Sequence, residues 1–383
     1  MNRRIVIAVD SFKGSATSME AADYIEKGLF RGNPALAVRK VAIADGGEGT
    51  VEALVTGLSG RRIKKQVTGP EGVPVSALFG LLDDETAIIE MAEASGLTKI
   101  KNETGNPFMA TTYGTGELIK FALDEKVKTI YIGLGGSATN DGGVGMAQAL
   151  GISFKDAAGQ EVGFGASGVL NIHTIDRKNI DPRIAETTFI GLTDVENLLC
   201  GKQGASYIFG SQKGAKEDEL ALLDQSLHHL QDKISEYCGQ SVSHLKGGGA
   251  AGGLGAGLAA FCQAKLVPGI ETISCLLHLE EEIKAADFVI TGEGRIDHQS
   301  LSGKAPVGIL RTAQKHRKPV IAIVGSVAGS LHDIYEAGFD LVIDTISAPI
   351  TLQEAMTNVR KNLQNGGETV AKVLELIEKQ NQK

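Results

Sequence analysis

The sequence predicts an α/β protein of two domains: a discontinuous flavodoxin-like doubly wound parallel sheet and an inserted mixed α+β domain. Three observations carry this. Short β-branched runs ending in Asp or Gly occur near both ends of the chain. Segments with helical periodicity separate them. The long middle segment follows a different order of elements.

Ile5 to Val9 is a short apolar run that ends at Asp10, the pattern of a buried parallel strand opening into a loop. Ser18 to Arg31 places Ala22, Ile25, Leu29 and Phe30 at helical spacing, with Glu20 and Glu26 supplying polarity. Val38 to Ala44 reads as the next strand and ends at Asp45. The same order returns late in the chain, where Asp287 to Thr291, Pro319 to Val324 and Asp340 to Asp344 read as strands. Helices are expected over Val307 to His316, Leu331 to Ala337, Leu352 to Leu363 and Thr369 to Lys379. Five parallel strands divided between the two ends form one sheet only if the middle is inserted into it. The expected division is 1–65 with 285–383 for the flavodoxin-like domain, and 66–284 for the insert.

Within the insert, Val75 to Leu82 and Ala87 to Met91 read as a hairpin around Asp83-Asp84. Thr115 to Leu123 reads as a helix. Thr129 to Leu134 is a strand leading into a Gly-rich loop. Phe189 to Leu192 is a strand leading to Thr193 and Asp194. Leu220 to Tyr237 is a long amphipathic helix.

The composition narrows the function. The 383 residues include 42% hydrophobic and 22% charged side chains, an ordinary globular balance. There are 49 glycines, nearly twice the usual ~7%. They follow no G-X-Y period, so they serve turns and close backbone approaches. A net charge of −8, with 5% aromatics and no Trp, argues against nucleic acid as a partner. An anionic ligand must then be held by local cations. Five apolar residues after the N-terminal arginines fall short of the roughly 7–15 of a signal-peptide core. The longest uncharged stretch, 247–264, holds seven glycines and is too weakly apolar to span a membrane. Cys200, Cys238, Cys262 and Cys275 fit no zinc or C-x-x-C spacing. The expectation is a cytoplasmic protein with reduced thiols and a small-molecule substrate. A homo-oligomer is compatible with the sequence.

In an open α/β sheet, ligands bind beyond the carboxyl ends of the strands. After the first strand comes Asp10-Ser11-Phe12-Lys13-Gly14-Ser15, and after the second Asp45-Gly46-Gly47-Glu48-Gly49-Thr50. After the third comes Gly292-Glu293-Gly294-Arg295-Ile296-Asp297, then Gln299, Ser300 and Lys304. Each loop alone has an ordinary explanation in helix caps and turns. Together they place cations, carboxylates and hydroxyls on one sheet edge. Ser11, Lys13, Gly46, Gly47, Glu48, Arg295, Asp297, Ser300 and Lys304 are the candidate substrate-binding residues. Lys13, Arg295, Asp45 and Asp194 are the candidate catalytic residues.

The insert carries a second Gly-rich loop, Gly133 to Gly143. Its backbone N–H groups and hydroxyls suit a phosphate cradle. Gly135, Gly136, Ser137, Thr139, Asn140, Asp141 and the later Lys213 are the candidate cofactor-binding residues. Gly133 to Ala138 also fits G-x-G-x-x-G/A, which keeps an NAD-dependent oxidoreductase open, although no clean βαβ unit follows. A third Gly-rich run, 247–257, suits close helix packing as well as a ligand. Asp194, at a strand end, suits proton abstraction from a hydroxyl or a metal ion. A non-enzymatic two-domain ligand sensor is the other rival reading.

Seven segments together resemble the type 1 glycerate kinase family. They are DSFKGS (10–15), ADGGEGT (44–50), GLGGSATNDGGVG (133–145), TDVENLLCG (193–201), FGSQKGA (209–215), GGGAAGGLGAGL (247–258) and TGEGRIDHQSLSGKAP (291–306). They span nearly the whole chain in the family's order. The family usually has Asp-Asn-Pro at Glu196-Asn197-Leu198, and Pro at Ser211. The resemblance implies ATP-dependent phosphorylation of D-glycerate, with Mg2+ bridging the phosphates. It implies two α/β domains with the active site in the cleft between them. It favours 2-phosphoglycerate over 3-phosphoglycerate as product. Arg295 or Lys13 would then pair the glycerate carboxylate. Asp194 is the first choice and Asp45 the second to accept the hydroxyl proton.

Overall fold

The structure, a computed structural model, describes residues 3–101, 105–239, 241–296 and 305–381. Cα proximity divides the chain into two units, 1–45 with 270–383 and 46–269. The chain begins in the first unit with β1 (Arg4–Ile7) and β2 (Ala37–Lys40), joined by the Ser18–Gly32 helix. Thr17 caps that helix: its hydroxyl accepts from the Glu20 N–H, and the Glu20 carboxylate accepts from the Thr17 N–H, a reciprocal capping box. Ala21, Ala22, Ile25 and Leu29 form its buried stripe.

The second unit holds β3 (Arg61–Thr68), β4 (Pro74–Leu81), β5 (Thr86–Glu90), β6 (Thr129–Gly133), β7 (Ser153–Lys155), β8 (Thr174–Asp176), β9 (Thr188–Leu192) and β10 (Lys265–Val267). The chain then returns to the first unit for β11 (Phe288–Thr291), β12 (Val320–Val324) and β13 (Leu341–Asp344).

The first unit's sheet has the order β13-β12-β11-β1-β2, parallel throughout. Counted along the chain within this unit, that is 2-1-3-4-5, the flavodoxin order. Parallel strands must be covered on both faces. One face packs Val6, Ala8, Val289 and Val320 with Leu279, Ile283 and Ile309. The other packs Ile5, Ile7, Ile290 and Ile323 with Ile25, Leu29, Leu363 and Val370.

Two details differ from the sequence reading. The second strand stops at Lys40 rather than Ala44, because the Ser18 hydroxyl replaces the ladder there. It donates to the Val9 carbonyl (2.7 Å) and accepts from the Ile43 N–H (2.9 Å). The last helix runs unbroken over Val359–Asn381, although Gly366-Gly367 suggests a break. A Cβ at Gly367 would lie 2.2 Å from the Ile25 carbonyl oxygen, and one at Gly28 would lie 2.0 Å from that of Gln364. These glycines let two helices meet backbone to backbone.

The second unit's main sheet has the order β10-β9-β6-β5-β4-β3. The pairs from β10 to β5 are parallel and the remaining pairs antiparallel. Its core packs Phe79, Ile89, Ile130, Ile132 and Phe189 against Leu118, Leu227, Leu254 and Phe261. The unit boundaries at 45/46 and 269/270 precede those expected at 65/66 and 284/285. The Thr50–Gly57 helix lies on β4, where a Cβ at Gly80 would come 2.4 Å from Val55 Cγ2, and its Val51 N–H donates to the Glu90 carboxylate. Ile270, Leu279 and Ile283 instead join the first unit's core.

Candidate active site

The first unit places a cavity at the carboxyl ends of four successive strands of its sheet. Asp10, Ser11 and Lys13 follow β1; Glu293, Gly294 and Arg295 follow β11; Gly325 and Ser326 follow β12; Thr345 and Ile346 follow β13. Leu352, Ala355, Met356 and Val359 form an apolar wall, and the volume is about 600 Å3. β1 and β11 are neighbours at the point where strand order reverses, the usual ligand crevice of this fold. The loops are held rigidly. The Asp10 N–H donates to the Gly292 carbonyl (2.8 Å), the Gly325 N–H to Glu293 and the Ile296 N–H to Ser326. Only glycine fits at 292, since a Cβ there would stand 1.8 Å from the Ile323 carbonyl oxygen. Residues 12–16 fold into a tight turn, with the Phe12 carbonyl accepting from the Ser15 and Ala16 N–H groups, and Lys13 is exposed on it.

Asp10 is only 8% exposed. Its carboxylate accepts from the Ser11 N–H at 2.6 Å. Burial, reinforced by Asp45 and Glu293, pushes its pKa up to about 7, while Lys13 and the Ser11 bond act against the rise. The sequence puts Asp10 in this loop without distinguishing it from its neighbours. Its special character comes from burial beside Asp45, which no local motif reveals.

Of the candidate substrate residues, Ser11, Lys13 and Arg295 share this cavity, and Asp45 acts on Asp10. Asp297, Ser300 and Lys304 lie outside the described residues. Gly46, Gly47 and Glu48 belong to the second unit.

In that unit a second set of loops gathers at the carboxyl ends of β5, β6 and β9. Gly46 packs against the Leu192 backbone, and its carbonyl accepts from the Gly135 N–H (3.2 Å). A Cβ at Gly135 would come 2.5 Å from the Gly47 Cα. Glu48 is exposed and contributes to the raised pKa of Glu90, a buried carboxyl pushed up to about 7 mainly by burial.

The Gly133–Gly143 loop is braced on every side. The Leu97 N–H donates to Gly136 and the Ala138 N–H to Ser95. The Asn140 amide bonds the Ser206 hydroxyl. Asp141 accepts from the Thr112 N–H and hydroxyl and from the Gly143 and Gly145 N–H groups. Burial raises the pKa of Asp141, and those bonds oppose it. Asn140 and Asp141 therefore act as braces, with their side chains fully buried. Among the described residues, the N–H groups of Gly136, Ser137, Thr139 and Asn140 donate no backbone hydrogen bond, and the buried Thr139 hydroxyl has no partner.

Lys213, a candidate cofactor-binding residue, is 1% exposed. Its Nζ donates to the Thr139 carbonyl at 2.7 Å. Burial lowers its pKa to about 7, against the pull of Asp141. The Gly247–Gly257 run has a packing role. A Cβ at Gly252 would stand 1.9 Å from the Thr139 carbonyl oxygen, and the Gly142 N–H donates to Gly252. Asp194 follows β9 and is exposed, and its Oδ1 accepts from the Gly269 N–H at 2.9 Å.

A sequence profile described as "Glycerate kinase family" matches residues 5–375. The chain belongs to the glycerate kinase family. A glycerate kinase of Halalkalibacterium halodurans is 45% identical over 370 residues, covering 96% of this chain and 97% of that one. A glycerate 2-kinase of Escherichia coli is 44% identical over 372 residues, covering 97% and 98%. The crystal structure of a putative glycerate kinase 2 from Salmonella typhimurium LT2 superposes with a TM-score of 0.87 at 43% identity, covering 99% of this chain and all of that one. Membership makes the chain a kinase rather than an oxidoreductase. Among the described residues no helix is long and apolar enough to cross a membrane.

Proposed function

We propose that this kinase transfers the γ-phosphoryl group of ATP to D-glycerate, forming 2-phosphoglycerate and ADP. The cavity at the β1/β11 switch point carries the reading. It collects two cations, Lys13 and Arg295, several hydroxyls, and two buried carboxyl groups, Asp10 and Glu293. Lys13 and Arg295 pair the glycerate carboxylate, by charge-assisted hydrogen bonds that fix its orientation. Ser11 completes the polar wall. Asp10, poised near neutrality, accepts the proton of the attacking hydroxyl. It replaces Asp194 and Asp45 as first choice because it shares a cavity with the cations, and burial reinforced by Asp45 keeps it basic. The relative named glycerate 2-kinase favours transfer to O2.

The Gly133–Gly143 loop receives the ATP phosphates on the N–H groups of Gly136, Ser137, Thr139 and Asn140. Lys213 holds that loop from beneath. Mg2+ prefers oxygen donors and binds through one or two carboxylates plus phosphates. The exposed Asp194 carboxylate, fixed by Gly269, fits that demand and would hold the ion. When bound, Mg2+ supplies charge neutralisation at the phosphates. The protein's own part is positioning and proton acceptance.

ADP release from Mg-ATP, followed with D-glycerate, L-glycerate and no acceptor, tests this. The reading expects turnover that depends on D-glycerate. ATP hydrolysis indifferent to the acceptor, or no turnover with any hydroxy acid, would overturn it.

A further inference from the structure

Along the loop that follows β9, the second unit brings three unlike donors together. Cys200 lies in a turn, while Asp224 and His228 lie one helical turn apart on the Leu220–Cys238 helix. The Cys200 sulfur, an Asp224 carboxylate oxygen and a His228 ring nitrogen all lie within 4.8 Å of one another. We propose that Cys200, Asp224 and His228 form a binding site for Zn2+.

The donor geometry supports this. Zinc bonds of about 2.0–2.3 Å at tetrahedral angles separate neighbouring donor atoms by roughly 3.3–3.6 Å. His228 Nε2 and Asp224 Oδ2 stand 3.5 Å apart. That is long for a direct charge-assisted hydrogen bond and correct for two ligands of one cation. The sulfur lies within 4.8 Å of both. The donor set of thiolate, imidazole and carboxylate suits zinc rather than the harder Mg2+.

The surroundings hold the donors in place. Asp224 Oδ1 accepts from the Gly201 N–H at 2.9 Å, which leaves Oδ2 facing His228. Such an outer bond is the usual support of a liganding carboxylate. The turn is closed by the Gly204 N–H to Gly201 carbonyl (2.7 Å) and the Ala205 N–H to Leu199 carbonyl. Burial first, then the Asp224 and Asp232 carboxylates, raise the pKa of the Cys200 thiol. On binding, the Cys200 thiol gives its proton to solvent and its sulfur electron pair to the metal. A water molecule would complete the tetrahedron. The ion would tie the Cys200 turn to the helix, six residues beyond Asp194 in sequence.

The test uses the full-length protein, stripped with a chelator under reducing conditions and titrated with Co2+ as a spectroscopic stand-in for Zn2+. The expected result is a 1:1 complex with a thiolate-to-cobalt charge-transfer band and tetrahedral visible bands, both displaced by Zn2+. Cys200→Ser should abolish the charge-transfer band and weaken Zn2+ binding at least about 100-fold. His228→Ala should weaken it about as much, while Cys238→Ser and Cys275→Ser should leave it unchanged. Far-ultraviolet circular dichroism of the apo variants checks that each folds. Absence of the band in the wild type, or its persistence in folded Cys200→Ser, would overturn the proposal.

Discussion

Lys213 Nζ donates a 2.7 Å hydrogen bond to the Thr139 carbonyl from a position with 1% exposure. The ammonium group is buried beneath the loop assigned to the ATP phosphates, with Asp141 as its nearby countercharge. Its pKa is about 7 in the folded state and about 10.4 when unfolded. Between these values the unfolded chain binds the extra proton, so stability rises with pH across that window. Lys213→Met should remove this rise, as read from urea midpoints between pH 7 and 10. It should also raise the KM for ATP, because the Thr139 carbonyl loses its brace.

Asp10 has the opposite linkage. Its folded pKa of about 7 lies above the ordinary 3.8, so the folded state holds the proton more tightly. Its contribution to stability is present below about 3.8 and is lost as pH rises through 7. Asp10→Asn should therefore stabilise the protein at pH 8 while lowering kcat by roughly 10²–10⁴, the usual share of a general base. In the wild type, kcat/KM should rise with pH through about 7. The variant should lack that limb.

Lys13→Met should act on substrate binding. Loss of one charge-assisted hydrogen bond costs about 1.5–3 kcal/mol, so the KM for D-glycerate should rise about 10- to 150-fold. The KM for ATP should change far less. Steady-state kinetics with each substrate varied in turn separates the two.

Gly252→Ala tests the packing of the phosphate loop. The new Cβ would meet the Thr139 carbonyl oxygen at 1.9 Å, at a position with φ of +65°. Overpacking and left-handed strain together should cost at least about 2 kcal/mol, measurable by denaturant unfolding. Asp194→Asn separately tests the ion: the Mg2+ concentration for half-maximal rate should rise on the order of 10-fold or more.

The first unit was legible because four of its five strands, β1, β11, β12 and β13, are short apolar runs that stop at a polar or glycine-rich loop, whereas β2 ends in Arg39-Lys40. That pattern is local, and strand order follows from connection rules. β3 was not legible. Arg61–Thr68 alternates Arg, Lys and Gln with few apolar residues, as suits an exposed edge strand. The candidate loops were legible from their glycines and charges, but the roles within them were not. Asp10 and Lys213 are distinguished by burial, which arises from contacts distant in sequence. The left-handed turn at Ala251, Gly252 and Gly253 likewise exists because the Thr139 backbone approaches it.

Phosphorus-31 NMR of the purified protein with D-glycerate and Mg-ATP, without coupling enzymes, reads donor and product in one spectrum. The expected spectrum shows ADP together with a new phosphomonoester that co-resonates with authentic 2-phosphoglycerate. Intact ATP, or a product matching only 3-phosphoglycerate, would contradict it.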